Sequence, residues 1–345
     1  MSTTSTTEIR TNAAAMVAPG KGLLAADEST GTIEKRLAQI DVEASEENRR
    51  AYRDLLFTTD GAEEHISGVI LFDETLRQSS ADGTPFPKLL ATKGILPGIK
   101  VDKGAKDLAG CPGEKVTEGL DGLRERFAEY YELGARFAKW RAVIDIADGL
   151  PTDFCLQANA HALARYAALA QEASIVPIVE PEVLMDGGHD LARCYAVTRR
   201  TLRSTFDALS DHGIDLEGMI LKPNMVIPGK KCANQASAEE IAANTVACFK
   251  EVVPAAVAGI MFLSGGQSER EATANLNAIN ALGEEPWKLS FSYGRALQQS
   301  VLKAWLGKAE NVAAAQKAYR HRARLNGAAC QGEYSARLEN ELVTA

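Results

Sequence analysis

Residues 217–226 read EGMILKPNMV. Met219, Ile220 and Leu221 have the character of a short buried strand, which runs out at Lys222 before Pro223-Asn224 turns the chain. A lysine at such a place commonly snorkels, its stem on apolar surface and its ammonium in water. Held in a dry pocket, the same amine can instead act as a nucleophile. What lies at the ends of the other strands decides between the two.

The pattern recurs along the chain, in GLLAADES, SGVILFDET, LPGIKVDKG, RFAKWRAVI, SIVPIVEPE, AGIMFLSGG and WKLSFSYGR. Polar residues near the ends of the eight runs, at 27, 73, 100, 139, 180, 222, 264 and 292, stand 27 to 46 residues apart. Each interval accommodates a strand and at least one helix, and the first holds two helical patterns, 30–40 and 46–57. Ser237 with Glu240, and Ser268 with Glu271, have the spacing of capping boxes where helices should start. Eight strands alternating with helices predict an α/β protein, a single (β/α)8 TIM barrel with extra N- and C-terminal helices, the latter over 308–327. An open doubly wound sheet is the alternative architecture. One domain over 1–345 is expected, with residues 1–15, Ser/Thr-rich at first, as a flexible lead-in and 331–345 as a flexible polar tail.

With 46% apolar and 24% charged residues, the 345-residue chain has an ordinary globular composition. A net charge of -8 disfavours nucleic acid and anionic membrane surfaces as partners. No apolar run approaches the ~18 residues of a membrane span, and the N-terminus lacks the apolar core of a signal peptide. Six cysteines without a CxxC pair suit reduced thiols and a cytoplasmic location. The five histidines show no ligand-like spacing, so no metal site is expected.

In a barrel the active site forms at the C-terminal ends of the strands. Those ends collect Asp27, Asp73, Lys100, Lys139, Arg141, Glu180, Glu182, Lys222, Ser264 and Arg295. Asp73 reads as an ordinary helix-start residue. In FAKWRAV, Lys139 and Arg141 are two apart and share a face, while Trp140 takes the face that helices cover. Glu180 and Glu182 likewise share a face around Pro181. Two cations and two carboxylates aimed into one mouth supply acid–base and charge-neutralising groups. A structural ion-pair cluster is the plain alternative.

Glycine-bearing turns follow the seventh and eighth runs, LSGGQS (Ser264, Gly265) and SYGRAL (Ser292, Gly294, Arg295). Both precede helices, so free backbone N–H groups and the positive helix end suit a phosphate, and Arg295 adds a bidentate clamp. Lys35, Arg36 and Lys100 could hold a second anionic group. An acidic protein that gathers cations at one rim implies an anionic small substrate.

LAADESTGTIEKR, GIKVDKG, FAKWR, VPIVEPE, ILKPNMV, FLSGGQSE and FSYGRALQ together closely resemble the Schiff-base (class I) fructose-bisphosphate aldolases, from about Ala18 to Tyr334. The resemblance implies a (β/α)8 barrel, reversible cleavage of fructose 1,6-bisphosphate in glycolysis and gluconeogenesis, no metal or other cofactor, and a homotetramer. It makes Lys222 the Schiff-base lysine, kept neutral by burial and by the like charge of Lys139. Glu180 becomes the acid/base at the carbinolamine, Glu182 its orienting partner, and Asp27 the acceptor of the 4-hydroxyl proton. Ser264, Gly265, Gly294 and Arg295 match the 1-phosphate site. Ser29, Lys35, Arg36 and Lys100 match the 6-phosphate region, and Arg141 a supporting position beside Lys139. Many family members end on a tyrosine that assists enamine protonation, whereas this chain ends YSARLENELVTA, its last tyrosine being Tyr334. Removal of 335–345 is therefore expected to change turnover little. Thr32 stands where serine is expected in much of the family, keeping a hydroxyl. A sedoheptulose-bisphosphate or transaldolase-like enzyme, a zinc aldolase and a non-catalytic scaffold are the competing readings.

Overall fold

A computed structural model describes residues 3–283 and 285–341, with only the backbone described for 3–5. The first strand, β1 (Gly22–Ala26), is preceded by α1 (Thr3–Met16) and followed by α2 (Thr30–Ala38) and α3 (Glu46–Phe57). β2 (Ile66–Leu71) leads into α4 (Asp73–Leu76) and α5 (Phe86–Thr92). After β3 (Leu96–Lys100) comes a hairpin of β4 (Ala105–Asp107) and β5 (Lys115–Thr117), then α6 (Leu123–Glu132). The next units are β6 (Phe137–Ile144) with α7 (Asp153–Glu172), β7 (Val176–Val183) with α8 (Leu191–Asp211), and β8 (Ile220–Leu221) with α9 (Ala238–Val252). β9 (Gly259–Phe262) with α10 (Glu269–Asn280), β10 (Leu289–Tyr293) with α11 (Arg295–Trp305), and α12 (Val312–Ala329) complete the chain.

The eight apolar runs are the eight parallel strands of a closed barrel, β1-β2-β3-β6-β7-β8-β9-β10, with β10 returning to pair with β1. The expected (β/α)8 barrel is the fold, and the open sheet is not. Both capping boxes form, with each serine hydroxyl and its glutamate satisfying one another's backbone N–H. The C-terminal helix begins four residues later than the expected 308, at Val312, after a short turn over Ala309–Asn311.

Inside the barrel, side chains interlock. Gly98 on β3 leaves room for the Phe137 ring on neighbouring β6: a β-carbon there would meet the ring at 2.2 Å. Truncating Phe137 to Ala would open a void at a cost of about 3–5 kcal/mol. Outside, Trp140 stacks on Tyr166 of α7 with centroids 5.6 Å apart. The Tyr166 hydroxyl, close to both Ala138 and Ile178 carbonyls at 2.7 and 3.2 Å, stitches α7 to β6 and β7.

Two expectations about the ends are corrected. Residues 3–16 form α1 rather than a flexible lead-in. Ile9, Ala13 and Met16 recur at helical spacing and are buried against the N-terminal ends of the strands, in a cluster with Leu23, Phe137, Val176 and Met261. That burial, with Arg10 paired to Asp215 at 2.8 Å, supplies the helix stability that its Ser/Thr-rich start lacks. The tail is also docked through residue 341. Tyr334 N donates to Asn277 of α10 at 2.8 Å, and Glu339 in a short turn (Ala336–Asn340) meets buried Arg322 of α12 at 2.7 Å. A long-range ion pair of this kind has no local sequence signature. Residues 1–2, 284 and 342–345 lie outside the described residues.

Candidate active site

The ends of the barrel strands surround a cavity of about 370 Å³. In β6, alternation puts Lys139 and Arg141 on the cavity side and Trp140 on the helix side, and in β7 the same rule brings in Glu180 and Glu182. Arg141 stands opposite Glu180 and Val143 opposite Glu182 in the β6–β7 register. The Pro223-Asn224 turn then fixes Lys222. Its backbone N–H reaches Val179 O at 2.8 Å, while Asn224 accepts from Val183 N at 3.0 Å and donates to Thr198 at 3.0 Å.

Lys222 is 4% exposed and its Nζ lies 3.1 Å from Glu180 Oε1, so its side-chain nitrogen is held among protein groups rather than in bulk water. Glu180 Oε2 lies 3.4 Å from Lys139 Nζ, which in turn is 2.9 Å from Asp27 and 3.8 Å from Asp102. Arg141 pairs with Glu182. A single carboxylate thus stands between two buried lysines, and a second lysine contacts three carboxylates. Burial pushes the Asp27 carboxyl up, but the charges of Lys139 and Lys222 and the Lys139 hydrogen bond outweigh it and hold it well below the usual carboxylate range. Burial pulls Lys139 down, and its three carboxylates more than reverse this, holding it cationic far above the usual lysine value.

The glycine turns lie across the mouth. Ser264, Gly265, Ser292, Gly294 and Arg295 all line the cavity. Gly265 adopts φ +55°, a left-handed turn that costs a glycine least. Gly294 caps the N-terminus of α11, whose first residue is Arg295. Six cations and five carboxylates line this cavity, a local excess of positive charge in a chain of net charge -8.

Ser29, Arg36 and Lys100 also line the cavity, with Ser29 Oγ 3.1 Å from Thr32 Oγ1. Lys35 is a correction: it is exposed on α2 and absent from the lining, because Ile33 and Leu37 turn inward there and carry Arg36 round with them. Asp73, at the start of α4, pairs with Arg77 at 3.1 Å and lies outside this cavity. Two carboxylates escaped the sequence reading. Asp102, 8% exposed, bridges Lys100 at 2.9 Å and Lys139; its spacing two residues from Lys100 was the available signal. Glu28, also buried, meets Arg36, Arg53 at 2.6 Å and Gln298 at 3.0 Å. Arg53 and Gln298 come from distant helices, so nothing local announced that cluster.

Among the described residues, no three His, Cys, Asp or Glu side chains are grouped to hold a metal ion. The arrangement offers a buried amine, an adjacent carboxyl for proton transfer, a fixed cation and an ionised carboxylate, below two turns suited to anions.

A sequence profile described as glycolytic, "Fructose-bisphosphate aldolase class-I", matches residues 8–344. A probable fructose-bisphosphate aldolase class 1 of Xylella fastidiosa (strain 9a5c) is 59% identical over 328 residues, 95% of this chain and 98% of the relative. Fructose-bisphosphate aldolase 6, cytosolic, of Arabidopsis thaliana is 59% identical over 95% of this chain and 91% of its own. Among solved structures, the aldolase of Plasmodium falciparum, in complex with TRAP and a small-molecule inhibitor, superposes with a TM-score of 0.96 at 50% identity, covering 97% of each chain.

Proposed function

We infer, for a chain that belongs to the class-I fructose-bisphosphate aldolase family, that Lys222 is the amine that bonds to the substrate ketone. The enzyme is a carbon–carbon lyase, cleaving fructose 1,6-bisphosphate reversibly to dihydroxyacetone phosphate and glyceraldehyde 3-phosphate in glycolysis and gluconeogenesis. The observation that carries the residue assignment is the 3.1 Å contact between buried Lys222 and Glu180, with Lys139 on the other side of the same carboxylate.

Glu180 takes the proton that Lys222 must lose before its lone pair can add to the ketone carbon. The same carboxyl returns a proton to the carbinolamine hydroxyl, which leaves as water to give the iminium. Asp27, kept ionised by Lys139, accepts the 4-hydroxyl proton. The electrons of the breaking C3–C4 bond flow into the iminium to form the enamine, and the aldehyde departs. Protonation of the enamine and hydrolysis of the iminium then free the second product. Glu182 pairs with Arg141, which stands opposite Glu180 in the β6–β7 register, and the two are assigned to supporting Glu180. Ser264, Gly265, Ser292, Gly294 and Arg295 hold the 1-phosphate, and Ser29, Arg36 and Lys100 receive the 6-phosphate.

The cytosolic relatives support a cytoplasmic location; a homotetramer is proposed on the family resemblance alone, and light scattering that returns a monomer would refute it. Borohydride reduction in the presence of dihydroxyacetone phosphate, followed by peptide mass mapping, tests the central assignment. A reduced adduct on Lys222 is the expected result; an unmodified Lys222 in folded, substrate-bound protein would return it to an ordinary strand-end lysine.

A further inference from the structure

We propose that Met185 is an oxidation-sensitive support of the 1-phosphate turn, and that its conversion to the sulfoxide by a peroxide weakens the hold on phosphorylated substrate. The inference rests on the reading of the Ser264–Gly266 turn as the phosphate seat.

Met185 follows β7 and lies directly behind that turn. Gly266 N donates to Met185 Sδ at 3.0 Å. A β-carbon on Gly265 would stand 3.1 Å from the same sulfur. A void of about 10 Å³ lies there, lined in part by Met185, Ser264 and Gly265, no more than the ~10–15 Å³ that one water needs. The thioether is a weak acceptor with an adaptable shape, so it seats the turn without binding its N–H groups strongly.

Exposure singles this methionine out. Met16, Met219 and Met261 are 0% exposed and Met225 1%, whereas Met185 is partly exposed. Met1 lies outside the described residues. A peroxide in solution therefore reaches Met185 ahead of the four buried methionines. The sulfur lone pair attacks a peroxide oxygen, the O–O bond breaks, and water leaves. Sulfur is oxidised by two electrons as the peroxide is reduced.

The product is polar and chiral, and its oxygen is a far stronger acceptor than the thioether. No room remains for that oxygen between the sulfur and the turn. Either it captures Gly266 N–H and displaces the glycines, or Met185 swings out and leaves them unsupported. Both outcomes move residues that line the catalytic cavity. Methionine sulfoxide reductases reverse the change.

The full-length enzyme would be treated with hydrogen peroxide and then dithiothreitol, to restore thiols but not methionine. Mass mapping then locates the added oxygen, and kinetics with fructose 1,6-bisphosphate measure its effect. We expect oxygen on Met185, a KM raised roughly tenfold, the scale of one hydrogen bond to a charged group, and kcat changed by no more than about twofold. Reductases A and B together should restore KM. Met185→Leu should show a modest rise in KM of its own and no further rise with peroxide. Met185→Gln, which places a strong acceptor there, should raise KM without peroxide. Complete oxidation of Met185 without a change in KM overturns the proposal, as does an equal peroxide response in Met185→Leu. Arg295→Ala separates the two layers. If its KM is unaltered, the phosphate-seat reading fails; if it rises while Met185 oxidation has no effect, only the present inference fails.

Discussion

Lys139 Nζ lies 2.9 Å from Asp27 Oδ2, an ion pair that joins the fourth barrel strand to the end of the first. It keeps a carboxylate ionised in a place where burial alone would protonate it. The pair therefore favours the ionised form of Asp27, the form that the proposed acceptance of the 4-hydroxyl proton requires.

Asp27 has its folded value lowered, so its contribution to stability is present above its unfolded value near ~3.9 and is lost as pH falls through the folded one. Lys139 has its value raised, so its contribution is complete below ~10.4 and is lost as pH rises through the higher folded value. Neither titrates between about pH 5 and 9, and the wild-type kcat profile should carry no limb from Asp27 there. Lys139→Met should lower kcat by roughly 10²–10³ and introduce an acid limb as burial raises Asp27. Superimposable profiles for the two proteins would contradict the assignment.

Glu180→Gln keeps the shape of the side chain but cannot carry protons. Its cleavage rate should fall by about 10²–10⁴. Substrate binding, read by inhibition with a non-reactive hexitol bisphosphate, should change far less. Rapid-quench experiments should find less iminium trapped by borohydride per unit time; an undiminished trapping rate would place proton transfer on another group.

Arg295 opens α11 and is exposed at the cavity rim. Arg295→Ala should raise KM for the bisphosphate by about 10- to 100-fold, the scale of charge-assisted hydrogen bonds to phosphate. The penalty should shrink for a substrate lacking the 1-phosphate. Equal losses for both substrates would move the phosphate elsewhere.

The docked tail separates stability from turnover. Arg322 is 4% exposed and loses its carboxylate partner if residues 335–345 are removed. Both that truncation and Glu339→Gln should cost about 3 kcal/mol in urea unfolding at neutral pH. Turnover at 25 °C should remain near that of the full chain. An unchanged unfolding midpoint would show that the Arg322 pair contributes nothing, and a large loss of cleavage rate would give the tail a catalytic part.

The barrel was legible because its signal is local and repeated. Each strand carries its own apolar run, and period-two spacing alone assigned Lys139, Arg141, Glu180 and Glu182 to the cavity. Lys35 failed because adjacent helical residues point about 100° apart, and sequence proximity to Arg36 says nothing about which faces inward. Glu28 with Arg53, and Glu339 with Arg322, joined positions 25 and 17 residues apart through tertiary packing. The α1 helix was hidden by its Ser/Thr-rich start, since its buried stripe is too sparse to be read without the barrel floor beneath it.

That helix has a consequence for traffic. With α1 across the N-terminal ends of the strands and Phe137, Ile178, Ile220 and Met261 packed above it, the barrel is closed there, and the cavity described above sits at the C-terminal ends. If a ketose anchors at Lys222, which is buried whereas Ser29 and Arg36 are partly exposed, its aldehyde half lies nearer the mouth and is expected to leave first. In the condensing direction the same assignment reverses the queue, and dihydroxyacetone phosphate is expected to be seated before the aldehyde arrives. The covalent bond proposed at Lys222 requires the same order, so the closed end of the barrel and the chemistry at its mouth agree.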